Sequence, residues 1–373
     1  MMMPREARER MTAAGPCVIF ERRYALGSLW PHDEGERVGE GLAVVGRDAA
    51  LADAGVASLR FLDIETTGMG GAGAMAFLVG LGWVAGSEFV LRQYLARSPD
   101  EEGGVIAAVL ADADLSGDPV LVTFNGRRFD APLLDERATM QRQRGGFASL
   151  RQVDLLYPSR TLYRGVLPDC RLGTVERWVL DVRRPPDEVP GREVPGWYFR
   201  FLRSGDWRDV APLVRHNAQD VVSLVGLTSR FVALALGWRA PLRDELLGLG
   251  KLLLAVGQTR RAEALWAGAA LQSAASEQRY EAMRRLAVRF KARRRRDLAC
   301  PLWRGLVQRS ARDRSSALIE LAMYFEHERR DLDRAEAATV DASRLGGGAS
   351  WEMSVAHRLA RIRSKRARWA VAG

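Results

Sequence analysis

Apolar and polar positions change their rhythm several times along the 373 residues. Residues 17–47 alternate over short distances and predict short strands and turns. Apolar residues then crowd around two acids in residues 58–66, a strand-like run that ends in a Thr66-Thr67-Gly68 turn. "AFLVGLGWV" (76–84) and "EFVLRQYLA" (88–96) predict two more strands, joined by a hairpin at Ala85-Gly86-Ser87. A helical pattern over 100–113, the strand "PVLVTFNG" (119–126) and a helix from about 129 follow, and residues 150–181 read as mainly helical. "RRPPDEVPGREVPG" (183–196) predicts a proline-rich excursion over the surface. Helix returns over 197–238. A meander of strands followed by alternating helix and strand predicts a mixed α/β sheet flanked by helices.

Past residue 240 the texture becomes Ala/Leu/Arg-rich helix with weak internal repetition. "RRAEALW" (260–266) aligns with "RDLACPLW" (296–303), and "DRAEAAT" (333–339) adds a third copy, placing Ala262, Ala299 and Ala335 in register. A helix-pair repeat of this length resembles the tetratricopeptide class, whose period is about 34 residues. In the last helix Trp351, Val355, Leu359 and Ile362 form an apolar stripe with Arg358, Arg361, Lys365 and Arg368 off it, which predicts a capping helix with a basic outer face.

Composition narrows the setting. Forty-seven per cent hydrophobic residues and ten Trp describe a folded chain. The N-terminal "MMMPREARERMTAAG" has no apolar core of a secretory signal, and the weakly polar stretch 73–86 is too short and glycine-rich to span a bilayer. Cys17, Cys170 and Cys300 are odd in number and far apart, without a C-x-x-C pattern. The expectation is a cytoplasmic protein with no membrane partner. Charge is unevenly spread: residues 241–373 carry 27 basic against 15 acidic side chains, while residues 1–240 carry 29 against 31. The basic last third is either a handle for polyanions or a set of solvated helix faces.

The chemistry turns on "RFLDIETTGMGGAG" (60–73). Gly68, Gly70 and Gly73 spell the G-x-G-x-x-G of a dinucleotide-binding turn, but that fingerprint needs a helix to open at the glycines and an acid ~20 residues on. Here another strand follows, so the glycines read as a strand-to-strand loop. Asp63 and Glu65, two apart in a strand, share a face. Side by side on an apolar strand they repel unless a cation lies between them or the face is open to water. In "TFNGRRFDAPLL" (123–134), Asn125 can hydrogen-bond within the turn while Phe129 anchors in the core, and Asp130 stands at a helix start, as a ligand or as a helix cap. In "VRHNAQDVVSL" (214–224), His216 and Asp220 are four apart on one helix face, which a merely polar surface would also allow. Together these are four acids without a compensating basic motif. Hard oxygen donors of that kind suit Mg²⁺ or Mn²⁺. Two such ions ~3.5–4 Å apart serve in-line cleavage of a phosphodiester.

The ordered set "FLDIETTG", "FNGRRFD" and "HNAQDVVSL" resembles the DEDD (DnaQ-like) exonuclease superfamily of the ribonuclease-H-like fold. Within it, the chain looks most like the bacterial YprB-like ribonuclease-H-like group, often followed by tetratricopeptide-like helices; 167–199 also looks like that group. The resemblance covers roughly residues 15–235, and beyond them it is architectural only. It implies a ribonuclease-H-like domain over 58–238 with an N-terminal extension of short strands (1–57), helical repeats over 239–345 and a basic capping helix and tail (346–373). It implies a 3′–5′ exonuclease working with two Mg²⁺ or Mn²⁺ ions on single-stranded 3′ ends of DNA or RNA. Asp63 would bridge both ions, Glu65 and Asp220 would complete one sphere, and Asp130 would serve the other. His216 stands where the superfamily keeps its water-orienting residue. Members with histidine usually place it five residues before the last Asp and those with tyrosine four; here a histidine occupies the four-residue spacing. Arg127 and Arg128, with Asn125, are candidates for the substrate phosphate, or plain solvent-exposed residues at a helix start. Two other functions fit the same residues: a nucleic-acid-binding scaffold whose repeats recruit a protein partner, and a metal-dependent endonuclease.

Overall fold

The computed structural model describes residues 3–30, 37–68, 73–272, 276–308 and 311–372. Seven strands form one sheet: β1 (Ala7–Thr12), β2 (Gly15–Ala25), β3 (Leu59–Thr66), β4 (Ala76–Ala85), β5 (Glu88–Leu95), β6 (Val120–Thr123) and β7 (Arg151–Asp154). Their order is β1-β2-β5-β4-β3-β6-β7. The first five pair antiparallel, while β6 pairs parallel with β3 and β7 parallel with β6. The mixed sheet predicted from the meander is therefore present. Of the glycine triad, Gly70 lies outside the described residues, and the chain after Gly73 enters β4, not a helix.

Nine helices of the described residues accompany the sheet: α1 (Leu26–Leu29), α2 (Val38–Gly46), α3 (Glu102–Ala113), α4 (Asp130–Met140), α5 (Leu156–Tyr163), α6 (Leu172–Val179), α7 (Val194–Ser204), α8 (Trp207–Leu236) and α9 (Leu246–Ala255). Leu62 and Leu81 share a buried core with Val105 and Ile106 of α3 and Ala131 and Leu134 of α4. The next residue on each strand presents the opposite face, and there α8 crosses β3, β4 and β5. Its close approach requires glycine at position 80, because a Cβ there would run into the Asn217 amide and Val221. Asp206 caps α8 by accepting from the Arg208 N–H, and Gly237 ends it in the left-handed conformation at φ 81°. By length and composition α8 alone among the described residues could cross a bilayer, but 67% of its apolar window is buried inside the fold. It is the core helix of the sheet.

Three expectations need correction. The described part of 17–47, which leaves out 31–36, holds most of the eleven-residue β2 and the largely buried helix α2, not only short strands and turns. Within 150–181, residues 151–154 form β7; four residues with Gln, Val and Asp inward are too few to show a period of two. The segment 183–196 has no strand or long helix before α7, as its prolines dictate, yet it does not simply run over the surface. Val189 and Val194 are buried, and Arg184 and Glu188 turn inward.

The chain divides into two compact units at Gln258/Thr259. α9 belongs to the first because it packs on α5, with Gly248 against the backbone of Thr161 and Leu162. The second unit contains α10 (Thr259–Ala270), α11 (Glu277–Ala292), α12 (Arg296–Val307), α13 (Ala311–Tyr324), α14 (Leu332–Ser343) and α15 (Ala349–Ala372), each packed on the next. The aligned Ala262, Ala299 and Ala335 are all fully buried, as are the residues one turn on, Trp266, Trp303 and Thr339. The basic face of α15 is only partly outward. Arg361 and Lys365 donate to the buried Glu326 at 2.7 and 2.6 Å, and Arg358 lies 3.5 Å from it. Burial raises the Glu326 carboxyl, but these partners outweigh it and hold it at about 2.

Candidate metal centre

The site starts from strand parity. Asp63 and Glu65 lie on the α8-facing side of β3, and Asp63 stands opposite Gly80. Asn217, fully buried on α8, donates from Nδ2 to the Asp63 carbonyl at 3.1 Å and to its Oδ2 at 2.8 Å. The Asn217 Oδ1 accepts from Gln93 Nε2 at 2.8 Å, and Gln93 also donates to the Val214 carbonyl. This polar pillar ties β5, α8 and β3 together and fixes the Asp63 carboxylate.

Asp130 arrives from the other side of the sheet order, at the start of α4 after β6. The turn before it contains Asn125 in the left-handed region at φ 72°. Asp154, at the end of β7, fastens that turn: Oδ1 accepts from the Asn125 N–H at 2.7 Å and from Leu156 N–H at 3.1 Å, and Oδ2 from Arg127 N–H at 3.2 Å. The expectation that Phe129 anchors the turn does not hold, since it is 52% exposed. Asp154 supplies the anchorage instead, and Ala131 and Leu134 fill the core below. Arg127 and Arg128 are exposed beside Asp130.

Asp220 and His216 come from α8, one turn apart. His216 Nε2 lies 3.7 Å from Glu65 Oε1 and 3.5 Å from Asp220 Oδ2. One donor atom from each of Glu65, His216 and Asp220 falls within 4.8 Å of the others, a spacing that could hold one ion. Of the residues singled out from the sequence, Glu65, His216 and Asp220 are brought together, and Asn217 ties Asp63 to the same helix. Asp63, Glu65, Asp130 and Asp220 also act on one another electrostatically. Burial, then the charges of Asp220, Glu65 and Asp130, push the Asp63 carboxyl well above the usual carboxylate range. Burial, then Asp220 and Asp130, do the same to Glu65, against the pull of Arg184. Asp130 is pushed up to about 7 by burial and next by Asp154. Asp220 is raised by burial although the Arg184 guanidinium opposes it. Four carboxyls that resist ionising together either hold protons or take up a cation.

Sequence reasoning expected no compensating basic group, and this is corrected by Arg184. Its guanidinium pairs with Asp220 and with Glu176, donates to Glu176 Oε2 at 2.9 Å and to Glu188 Oε1 at 2.6 Å. Glu176 is fully buried and also accepts from Ser223 Oγ at 2.6 Å. Arg184, Glu176, Glu188, Asn217 and Gln93 all escaped the motif reading; the proline-rich composition of 183–196 masked two of them. One guanidinium against four acids leaves the cluster short of positive charge. An all-oxygen set with one imidazole at its rim fits a hard divalent ion such as Mg²⁺ or Mn²⁺.

Residues 60–232, from β3 into α8, match the model of the RNase_H superfamily. The chain is also 31% identical over 317 residues to the "Uncharacterized protein YprB" of Bacillus subtilis (strain 168), a match covering 83% of this chain and 75% of that protein.

Proposed function

The chain belongs to one family with YprB, and its residues 60–232 match the RNase_H superfamily; on that premise we propose that it is a divalent-metal-dependent 3′–5′ exonuclease hydrolysing phosphodiester bonds of DNA or RNA. The observation that carries this reading is the convergence of Asp63, Glu65, Asp130 and Asp220, each with its carboxyl raised by burial and by its neighbours. Asp63 is affected by all three other acids, which suits the shared ligand of two ions. Glu65 and Asp220 would complete one sphere and Asp130 would serve the other. Ions bound there would supply an activated water and charge stabilisation on the leaving oxygen.

The chain's own groups do the rest. Asn217 holds the Asp63 carboxylate in one orientation. His216 Nε2, on the rim next to Glu65 and Asp220, orients the attacking water or takes its proton. Arg127 and Arg128, exposed beside Asp130, are placed to meet a phosphate of the incoming strand. The second unit is proposed to be a tetratricopeptide-like array that recruits a partner or strand.

A degradation time course on 3′- and 5′-end-labelled single-stranded DNA and RNA tests the reading. Mononucleotides released from the 3′ end with a shrinking 5′-labelled ladder are expected. Internal fragments appearing first would replace exonuclease by endonuclease, and binding without cleavage in Mg²⁺ and Mn²⁺ would leave a scaffold.

A further inference from the structure

His216 has two ring nitrogens, and the structure treats them differently. Nδ1 lies 2.9 Å from Glu188 Oε1, while Nε2 faces Glu65 and Asp220 at 3.7 and 3.5 Å. Among the described residues no hydrogen bond is made by Nε2. A carboxylate only accepts, so the proton of this contact must sit on Nδ1. We infer that Glu188 is a positioning residue: it keeps His216 in the Nδ1–H form and turns the Nε2 lone pair toward the acid cluster.

The strap that carries Glu188 is built to aim this carboxylate. The Glu188 N–H donates to the Pro185 carbonyl at 3.1 Å, and Val189, the next residue, is buried. Arg184, four residues earlier, donates to the same Oε1 at 2.6 Å and is itself anchored on the buried Glu176. Oε1 therefore receives one hydrogen bond from the strap and one from the imidazole. The ring is 10% exposed, so little water competes for Nδ1. An imidazole used at Nε2, as a ligand or as a proton acceptor, needs its other nitrogen protonated and its plane fixed, and a carboxylate partner provides both. Without such a partner a neutral imidazole can carry its proton on either nitrogen. A proton on Nε2 would point a donor at the cluster and remove the lone pair from use. The inference rests on the nuclease reading for its consequence, but the tautomer itself does not.

Full-length protein labelled with ¹⁵N-histidine separates the two. The chain has four histidines, and His216→Ala assigns the relevant signals. At pH 8.5 wild type is expected to show the Nδ1–H form of His216. Glu188→Ala should lose that preference, and Glu188→Gln, whose amide oxygen still accepts, should keep it. In cleavage assays Glu188→Ala should lower kcat by about 10- to 100-fold with little change in KM, and Glu188→Gln should recover most of the loss. An Nε2–H form in wild type overturns the proposal before any variant is made. So does an unchanged tautomer in Glu188→Ala, or a Glu188→Gln protein as slow as Glu188→Ala. If wild type cleaves nothing, the nuclease reading fails while the spectra still decide the role of Glu188.

Discussion

At the scale of single residues, what the sequence reveals is what has a period. Asp63 and Glu65 are two apart on a strand and His216 and Asp220 four apart on a helix, so each pair shares a face without knowledge of the fold. Asp130 is legible because it follows a strand and opens a helix. Arg184 and Glu188 sit in a proline-rich strap where no period exists, and their partners Asp220 and His216 lie 36 and 28 residues on. Gln93 and Asn217 are ordinary amides until α8 is laid on the sheet. Phe129 shows the opposite failure: an apolar residue read as an anchor stands in solvent because Asp154 already holds the turn. His216 is the residue whose role is sharpest to test. As the group that orients or deprotonates water, His216→Ala should lower kcat by roughly 10²–10⁴-fold. The thermal shift produced by Mn²⁺ should stay near that of wild type, since the four acids remain. A variant within a few-fold of wild type at every pH would assign water activation to the ions alone.

At the scale of elements, the site is made where three of them meet: β3, the start of α4 and the middle of α8. The strands and helices of 58–140 follow from alternation and spacing, and β4 and β5 lie within one residue of their predicted ends. What alternation does not tell is which element presses on which. Gly80 looks like a weak point in an apolar strand, yet it is the clearance that lets Asn217 reach Asp63. Gly80→Ala should therefore push α8 from β4. The expected cost is about 1–3 kcal/mol of stability, the range for overpacking a filled core. Because the Asn217–Asp63 bond goes with it, cleavage should fall more than the stability loss explains. Urea unfolding and kcat on the same preparation check this; a variant as stable and as active as wild type would show that α8 is not held by that contact.

At the scale of the whole molecule, a strong charge imbalance along the chain is legible, while the use of the charge is not. Arg284, Arg289 and Lys291 pair with acids of the second unit, and Arg361 and Lys365 pair with Glu326, so much of the excess is internal. Burying four acids has a cost that depends on pH. Asp130 holds its proton up to about 7 in the folded protein against ~3.9 in an unfolded chain. Between these values the folded state binds more protons, so stability falls as pH rises, and Asp63, Glu65 and Asp220 are raised in the same sense. In EDTA the Tm of the first unit should drop from pH 5 to pH 8. Saturating Mn²⁺ takes the place of the protons, so it should raise Tm more at pH 8 than at pH 5. Equal shifts at both pH values would mean that ions do not bind at the carboxylates.

If metal held by these acids makes the protein a nuclease, Asp63 is the residue on which both ions would depend. The measurement is cleavage of end-labelled single-stranded DNA and RNA by wild type and Asp63→Ala, each with Mg²⁺ or Mn²⁺ and again with EDTA. Wild type should cleave only with metal, and Asp63→Ala should fall to the EDTA background while keeping its far-ultraviolet circular dichroism. Near-normal cleavage by folded Asp63→Ala, or wild-type cleavage that persists in EDTA, would contradict it.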